Sequence, residues 1–342
     1  MENKANILII GGAGYIGSHI AVEHLNRNHN VIIVDNLSSS EEFIVDNIKE
    51  ITGKEFPFYA YNASNETLMT KVFEDHDVDI VIHLAGEVST VRSIDNPIQY
   101  LDNNINALLT TLKLMKKFEV RKMIYGSSSK FYGMSSDSLI GEGLTRKLAG
   151  NAYAVSKQIC EDMIQTMDSD FTVAILRFFN PIGCHSSGKL GCLPKKGNDN
   201  IFNSLYESYL NKTQFLIKGD NYKTIDGTCI RDYISIDDLV SAHMKSVNWV
   251  LDNDNNTVEA FNVCTGKGMS VKQIVEMFEA EVDEKLNIVL GSRRKGDLGS
   301  IVGNPDKASS TINFTASGNI KNTIMNYRSW YEYILERNRT TE

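Results

Sequence analysis

Three groups of residues in this chain have types and spacings that could do chemistry. Tyr153 and Lys157 stand four apart in Tyr-Ala-Val-Ser-Lys, a spacing that puts phenol and ammonium on one face of a helix. An unperturbed phenol titrates near ~10, too high for a base at neutral pH, and a nearby positive charge would pull that value down. Ser128, within Ser127-Ser128-Ser129-Lys130-Phe131-Tyr132-Gly133, stands where a strand is expected to end. Its hydroxyl could bridge the phenol and a substrate oxygen. The third group, Gly11-Gly12-Ala13-Gly14-Tyr15-Ile16-Gly17, directly follows an apolar run and leads into helical spacing at Ile16, Ile20 and Leu25. Gly11 would permit a tight turn, Gly14 would let the backbone approach a pyrophosphate, and Gly17 would let the helix pack close to the strand. The helix N-terminus would offer free N–H groups and a positive partial charge to the phosphates. Asp35 closes the next apolar run, 18 residues past Gly17. An acid there accepts from a ribose 2′-hydroxyl and repels a 2′-phosphate, which favours NAD over NADP.

The elements that must position these groups read as an alternation of short β-branched runs and helical stretches. Strands are expected at 6–10, 30–34, 56–61, 79–85, 121–127 and 171–178, with long helices at 98–118 and 152–167. Continuously apolar runs suit strands buried on both faces of a parallel sheet. The fold class expected is therefore α/β: a Rossmann-type doubly wound parallel sheet over residues 1–180, with 236–263 returning to it through a helix at 236–250 and a strand at 260–263. After residue 180 the pattern changes, with Pro181, Pro194, a helix near 200–211 and a terminal helix at 320–336. Residues 181–342 read as a smaller C-terminal α/β substrate-binding cap at the edge of the sheet where ligands bind.

Composition narrows the function further. With 342 residues, 42% hydrophobic and 23% charged, the chain is neither disordered nor a small disulfide scaffold. A formal charge of −8 argues against nucleic acid as a partner. No apolar run reaches the ~18 residues of a membrane span, and the N-terminus lacks a signal-peptide pattern. A cytoplasmic location and no membrane partner are expected. The five cysteines are odd in number, scattered and without a Cys-x-x-Cys pair, so no metal site is expected.

Glycine loop, strand-end serine and Tyr-x-x-x-Lys in that order are the layout of the short-chain dehydrogenase/reductase superfamily. Gly11 to His19 (GGAGYIGSH), Asp35 to Ser38, Leu176 to Gly183 (LRFFNPIG), Gly219 to Tyr233 (GDNYKTIDGTCIRDY), Thr265 to Val271 and Arg293 to Asp297 resemble, more narrowly, the UDP-glucose 4-epimerase family. The resemblance covers nearly the whole chain. It implies an isomerase of galactose and nucleotide-sugar metabolism that interconverts UDP-glucose and UDP-galactose with bound, unconsumed NAD. Tyr153 would remove the 4-hydroxyl proton while C4 gives hydride to the cofactor. The transient 4-keto sugar would turn and take hydride back on its other face. Ser128 matches the family's catalytic serine, and Lys157 would hold the nicotinamide ribose and lower the Tyr153 pKa.

The resemblance extends the cofactor site from Gly11, Gly14, Gly17 and Asp35 to Tyr15, Ile16, Asn36, Ser38, Asn62, Ala63, Leu84, Ala85, Gly86, Asn103, Ser127 and Phe179, with Tyr153 and Lys157 also touching the cofactor. For the UDP-hexose it implies Ser128, Tyr153, Asn180, Asn200, Arg231, Arg294, Asp297 and Ile301, the arginines suiting phosphate oxygens. It also implies a homodimer built from two helices per subunit, 98–118 and 152–167.

The chain departs from the family at several points. Val88 stands where the family commonly has Lys, and Asn62 replaces its adenine-contacting Asp. The 4,6-dehydratases carry Asp-Glu after the catalytic hydroxyl residue, whereas this chain has Ser129-Lys130, which disfavours dehydration. The stretch 188–200 differs from the family pattern. Ile301, at the hexose-pocket wall, is smaller than the restrictive Tyr found in some members, so a UDP-N-acetylglucosamine 4-epimerase is the alternative. Another NAD-dependent nucleotide-sugar epimerase or dehydratase is a further alternative. A non-enzymatic NAD-binding regulator is disfavoured by the intact Ser128, Tyr153 and Lys157.

Overall fold

The computed structural model describes residues 4–134, 139–167, 169–194, 200–294, 297–318 and 320–341. In chain order, the first half contains β1 (Asn6–Ile10), α1 (Tyr15–Asn26), β2 (Asn30–Val34), α2 (Phe43–Thr52), β3 (Phe58–Tyr59), α3 (Glu66–Asp75), β4 (Ile80–His83), α4 (Arg92–Asp95), α5 (Pro97–Lys117), β5 (Lys122–Ser128), a 3-10 turn (Ser129–Tyr132), α6 (Ala152–Gln165) and β6 (Thr172–Phe178). There follow β7 (Asn180–Ile182), α7 (Ile201–Asn211), β8 (Phe215–Lys218), β9 (Ile230–Ser235), α8 (Ile236–Leu251) and β10 (Val258–Val263). The chain closes with β11 (Gly268–Ser270), α9 (Val271–Val282), β12 (Ile288–Gly291), β13 (Ser300–Ile301), α10 (Asp306–Ile312) and α11 (Ile320–Thr341).

A seven-stranded sheet has the order β10-β6-β5-β4-β1-β2-β3. The pairs β1–β2, β1–β4, β2–β3 and β4–β5 are parallel, and Ile7 to Ile10 are completely buried, as the unbroken apolar runs require. On one face Leu8, Val81, Met123 and Val173 from the strands pack with Leu108, Leu112 and Met115 from α5 and with Cys160 and Ile164 from α6. The strand expected at 56–61 is only Phe58–Tyr59. Pro57 has no N–H to give to a ladder, and the Tyr61 N–H bonds the Tyr59 carbonyl, which ends the strand.

The chain divides into two compact units. The first is Met1–Phe131, Asn151–Arg177 and Val240–Phe261; the second is Tyr132–Gly150, Phe178–Leu239 and Asn262–Glu342. The division differs from the one expected at residue 180, because 132–150 goes with the second unit. Backbone bonds explain this: Ile140 N–H donates to Val302, Asn304 N–H donates to Ile140, and the Asn262 N–H donates to Glu142. In the second unit β9 pairs with β11, β13 and β7, and β8 pairs with β12. Among the described residues, no helix is long and apolar enough to cross a membrane.

Candidate active site

In the first unit, the ends of β1 to β4 open onto one shallow cavity. Gly11, Gly14, Asp35, Asn36, Ser38, Asn62, Ala63, Leu84, Ala85, Gly86 and Asn103 line it, so most residues expected to hold a cofactor are gathered there. Gly11 has φ +86°, and a Cβ on it would come within 2.6 Å of the Ala85 nitrogen. A Cβ on Gly17 would collide with the Gly11 carbonyl, so helix and loop touch only because both residues are glycine. Tyr15, Ile16 and Gly17 form the first turn of α1. Its N-cap, Gly14, provides no side-chain hydrogen bond, and the turn has no acid. The first N–H groups are thus left to an anion. Asp35 takes hydrogen bonds from the N–H groups of Ala13 at 3.1 Å and Leu37 at 2.8 Å, which aims its carboxylate where it lines the cavity. Asn62 Oδ1 takes two bonds from Ser64, at 3.0 and 2.9 Å. A glycine cradle that any Cβ would fill, a helix start without its own cap and a fixed carboxylate fit a dinucleotide.

A larger cleft lies at the other end of these strands, lined by Asn6, His29, Asn30, Lys54 and Asp75 among others. It has neither the glycine loop nor Asp35, so the smaller cavity is the candidate cofactor site.

The same unit holds Ser128, Tyr153 and Lys157. Ser128 ends β5, and α6, whose cap Asn151 accepts from the Ala154 N–H at 2.9 Å, carries the other two. Burial pushes the Tyr153 phenol up to about 12; a hydrogen bond from Ser128 works against that, and Tyr100 adds to it. Lys157 Nζ donates to the Gly126 carbonyl at 2.7 Å and to the Tyr125 hydroxyl at 3.3 Å. Burial lowers the Lys157 pKa. His83 is also buried, with its pKa lowered to about 3 by burial and then by Lys157. It remains a neutral ring stacked 5.9 Å from Tyr125 and cannot serve as a base at ordinary pH.

The second unit holds the residues expected at the nucleotide. Arg231 Nη1 donates to the carbonyls of Ile230 at 2.8 Å and Leu298 at 2.9 Å, and Nη2 donates to Asp297 Oδ1 at 3.0 Å. Arg231 and Asp297 are thus brought together. Ile301 is buried and lies opposite Arg231 in the β13–β9 register. Asn180 Nδ2 donates to the Asp232 carbonyl at 2.9 Å. Arg294 follows Arg293, whose guanidinium lies 4.1 Å from the Tyr222 ring centroid. Asn200 has a structural task, because its Oδ1 caps α7 by accepting from the Phe202 N–H at 2.9 Å. Phe179 also belongs to this unit, its N–H donating to Val263. Residues 195–199 of the divergent 188–200 stretch, and Lys295 and Gly296 of the Arg-Arg-Lys-Gly-Asp motif, lie outside the described residues.

Some participants were not foreseen. Tyr61 and Ser39 line the cavity, and the buried Ser40 hydroxyl donates to the Ala13 carbonyl, tying the loop after β2 to the glycine loop. Asn104 takes the Glu87 N–H at 2.8 Å and donates to the Glu87 carbonyl and Ser156 Oγ, both at 3.0 Å. It clamps the loop after β4 to the helix that carries Tyr153. Three asparagines in a helix interior, Asn103, Asn104 and Asn106, were a readable signal, since Asn is a poor helix former there.

Residues 7–264 match the family described as NAD dependent epimerase/dehydratase. A UDP-glucose 4-epimerase of Bacillus subtilis is 33% identical over 328 residues, 95% of this chain and 96% of that relative. Among solved structures, the UDP-glucose 4-epimerase from Bifidobacterium longum in complex with NAD+ and UDP is 33% identical, with a TM-score of 0.89 over 96% of this chain and 98% of that one. The enzyme from Stenotrophomonas maltophila, with bound NAD and formylated UDP-arabinopyranose, is 29% identical, with a TM-score of 0.93 over 97% of this chain and 99% of that one.

Proposed function

The chain belongs to the NAD dependent epimerase/dehydratase family, and from that premise we propose that it is a UDP-glucose 4-epimerase, interconverting UDP-glucose and UDP-galactose with bound NAD. The observation that carries this reading is the placement in one unit of a glycine cradle that fits a dinucleotide, Ser128 at the end of β5, and the buried Tyr153 and Lys157 one helical turn apart on α6. When bound, NAD supplies reversible hydride exchange at the hexose C4 and, in its oxidised form, a positive charge that favours phenolate. Tyr153 takes the 4-hydroxyl proton and returns it. Ser128, donating to the phenol oxygen, offsets part of the cost that burial puts on phenolate. Lys157, held on the Gly126 carbonyl, adds a buried positive charge one helical turn on. Arg231, Arg294, Asp297 and Asn180 hold the UDP part. Arg231 is suited to this because its three bonds fix the guanidinium before a ligand arrives. No acid follows Ser128 at 129 or 130, so C5–C6 elimination lacks its proton donor.

One observation favours a second substrate class. Ile301, opposite Arg231 in register, is smaller than a tyrosine, which leaves room for an N-acetyl group. Ile301→Tyr should lower turnover of UDP-N-acetylgalactosamine about tenfold or more while sparing UDP-galactose; equal losses on both would remove Ile301 as the gate.

The reading also includes a cytoplasmic enzyme, consistent with five free, buried cysteines. It includes a homodimer through α5 and α6, supported by the exposure of Ile94 and Ile98 at the start of that helical layer. Light scattering after gel filtration measures the mass directly.

The deciding experiment incubates purified protein, without added cofactor, with UDP-galactose or UDP-N-acetylgalactosamine and follows products by proton NMR. The gluco epimer is expected. Neither sugar turning over, with NAD then added, would overturn the assignment.

A further inference from the structure

Behind the end of β5 lies a buried ion pair that the chemistry above does not use. Glu161 is 1% exposed and Arg177 5%. Arg177 Nη2 donates to Glu161 Oε2 at 2.7 Å, and its Nε lies 3.2 and 3.1 Å from the two carboxylate oxygens. The Ser127 hydroxyl donates to Glu161 Oε1. The guanidinium sits 3.8 Å from the ring centroid of Phe131, in the 3-10 turn directly after Ser128, and the Phe131 carbonyl accepts from Gln158 of α6 at 2.8 Å. One pair thus joins β5, the turn after it, α6 and β6. A buried ion pair is a poor device for stability alone, since apolar residues of the same volume usually serve as well.

We propose that Glu161 and Arg177 are positioning residues of the active centre: Glu161 anchors Ser127 and sets a carboxylate one helical turn from Lys157, and Arg177 fixes the turn that follows Ser128. This rests on the epimerase reading. The groups that touch or act on Lys157 are Cys160 and Glu161 from α6, Tyr125 from β5 and His83 from β4, with Arg177 of β6 bonded to Glu161. Burial lowers the Lys157 pKa, while Cys160 and then Glu161 raise it. Cys160 is itself pushed up by burial and stays a neutral thiol at ordinary pH, and His83 stays neutral. Glu161 is therefore the anion that offsets the desolvation of Lys157, one helical turn away.

The test separates charge from shape. Glu161→Gln keeps the side-chain shape and one acceptor oxygen and removes the charge. NMR titration of lysine-labelled enzyme, with Lys157→Met assigning the signal, should show Lys157 losing its proton at lower pH than in the unaltered enzyme. The alkaline limb of kcat/KM should move with it. Arg177→Lys keeps the charge but loses the fork and the ring stacking, so the titration should stay in place while kcat falls about tenfold. A Lys157 titration unmoved in Glu161→Gln overturns the first half, and full kcat in Arg177→Lys overturns the second. Should Glu161→Gln fail to fold, the double variant Glu161→Gln/Arg177→Gln leaves no unpaired charge, and a smaller downward shift is expected; no shift overturns the proposal. The NMR titration needs no turnover, so it remains readable if the UDP-hexoses are not substrates.

Discussion

The two units recognise by different means. The first builds its cavity from backbone: glycines that admit no Cβ, an uncapped helix start and the ends of parallel strands. The second builds from charged side chains locked on one another, with Arg231 spread over two carbonyls and Asp297. A backbone site is set by short local sequence and tolerates no added atoms. A side-chain site is assembled from segments far apart and depends on charge. The catalytic trio belongs to the first kind of scaffold, but its chemistry is of the second kind, since the Tyr153 phenol is governed by burial and by Ser128.

That contrast can be broken or sharpened experimentally. The largest effect is expected from Tyr153→Phe, which removes the proton carrier and leaves the cradle intact. Turnover should fall roughly 10²–10⁴-fold with NAD still bound, as read by cofactor absorbance after gel filtration; wild-type-like turnover would remove Tyr153 as the base. Next is Gly11→Val, which adds atoms against Ala85 at a positive φ. It should cost about 3 kcal/mol in a denaturant melt and strip the cofactor. Normal NAD content in a stable variant would show that the site is not backbone-defined.

Arg231→Ala should raise the KM for UDP-galactose about 10–100-fold and lower stability by about 1–3 kcal/mol, because it leaves Asp297 and two carbonyls without their donor. Arg231→Lys should recover little, because an ammonium cannot replace the fork. An unaltered KM would refute a charge-built nucleotide site.

The smallest effect concerns acid. His24 and His243 of the first unit are buried with ring centroids 6.2 Å apart. The His24 pKa is held well below the usual histidine range by burial, then by His243, His29 and Arg27. Burial lowers the His243 value to about 3. Both are depressed in the folded state, so the unfolded chain binds more protons from about pH 6.5 downward, and stability falls as pH falls. The second unit runs the other way. Burial raises the Asp232 pKa against hydrogen bonds from Thr265, Gly303 and Gly266, so acid relieves a buried charge there. The net loss should be about 1 kcal/mol per pH unit from pH 6 to 4. Hydrogen exchange should show α1 and α8 opening before β9; uniform opening would contradict the contrast.

Much of the first unit was legible in advance because its determinants are local. The apolar runs became β1, β2, β4, β5 and β6 within a residue or two. Helices expected at 98–118 and 152–167 run Pro97–Lys117 and Ala152–Gln165. The glycine loop and Asp35 stand at strand ends on one cavity, since strand polarity puts every such end on the same edge. Less of the second unit was legible. Nothing in the spacing indicated that Arg231 and Asp297, 66 positions apart, would pair. Residues 132–150 join the second unit through bonds to Val302, Asn304 and Asn262, which no local pattern signals.

By itself, then, the sequence determined the doubly wound sheet and its glycine-loop edge, because backbone sterics and helical periodicity act over a few residues, and it singled out Ser128, Tyr153 and Lys157 as the trio proposed for catalysis. Tertiary structure alone decided that Asn200 caps a helix, that Arg231 meets Asp297, and that Glu161 meets Arg177. These are matters of desolvation and partner choice. A buried charge or hydroxyl must find its partner among groups brought near by the whole fold, and spacing along the chain does not specify which groups those are.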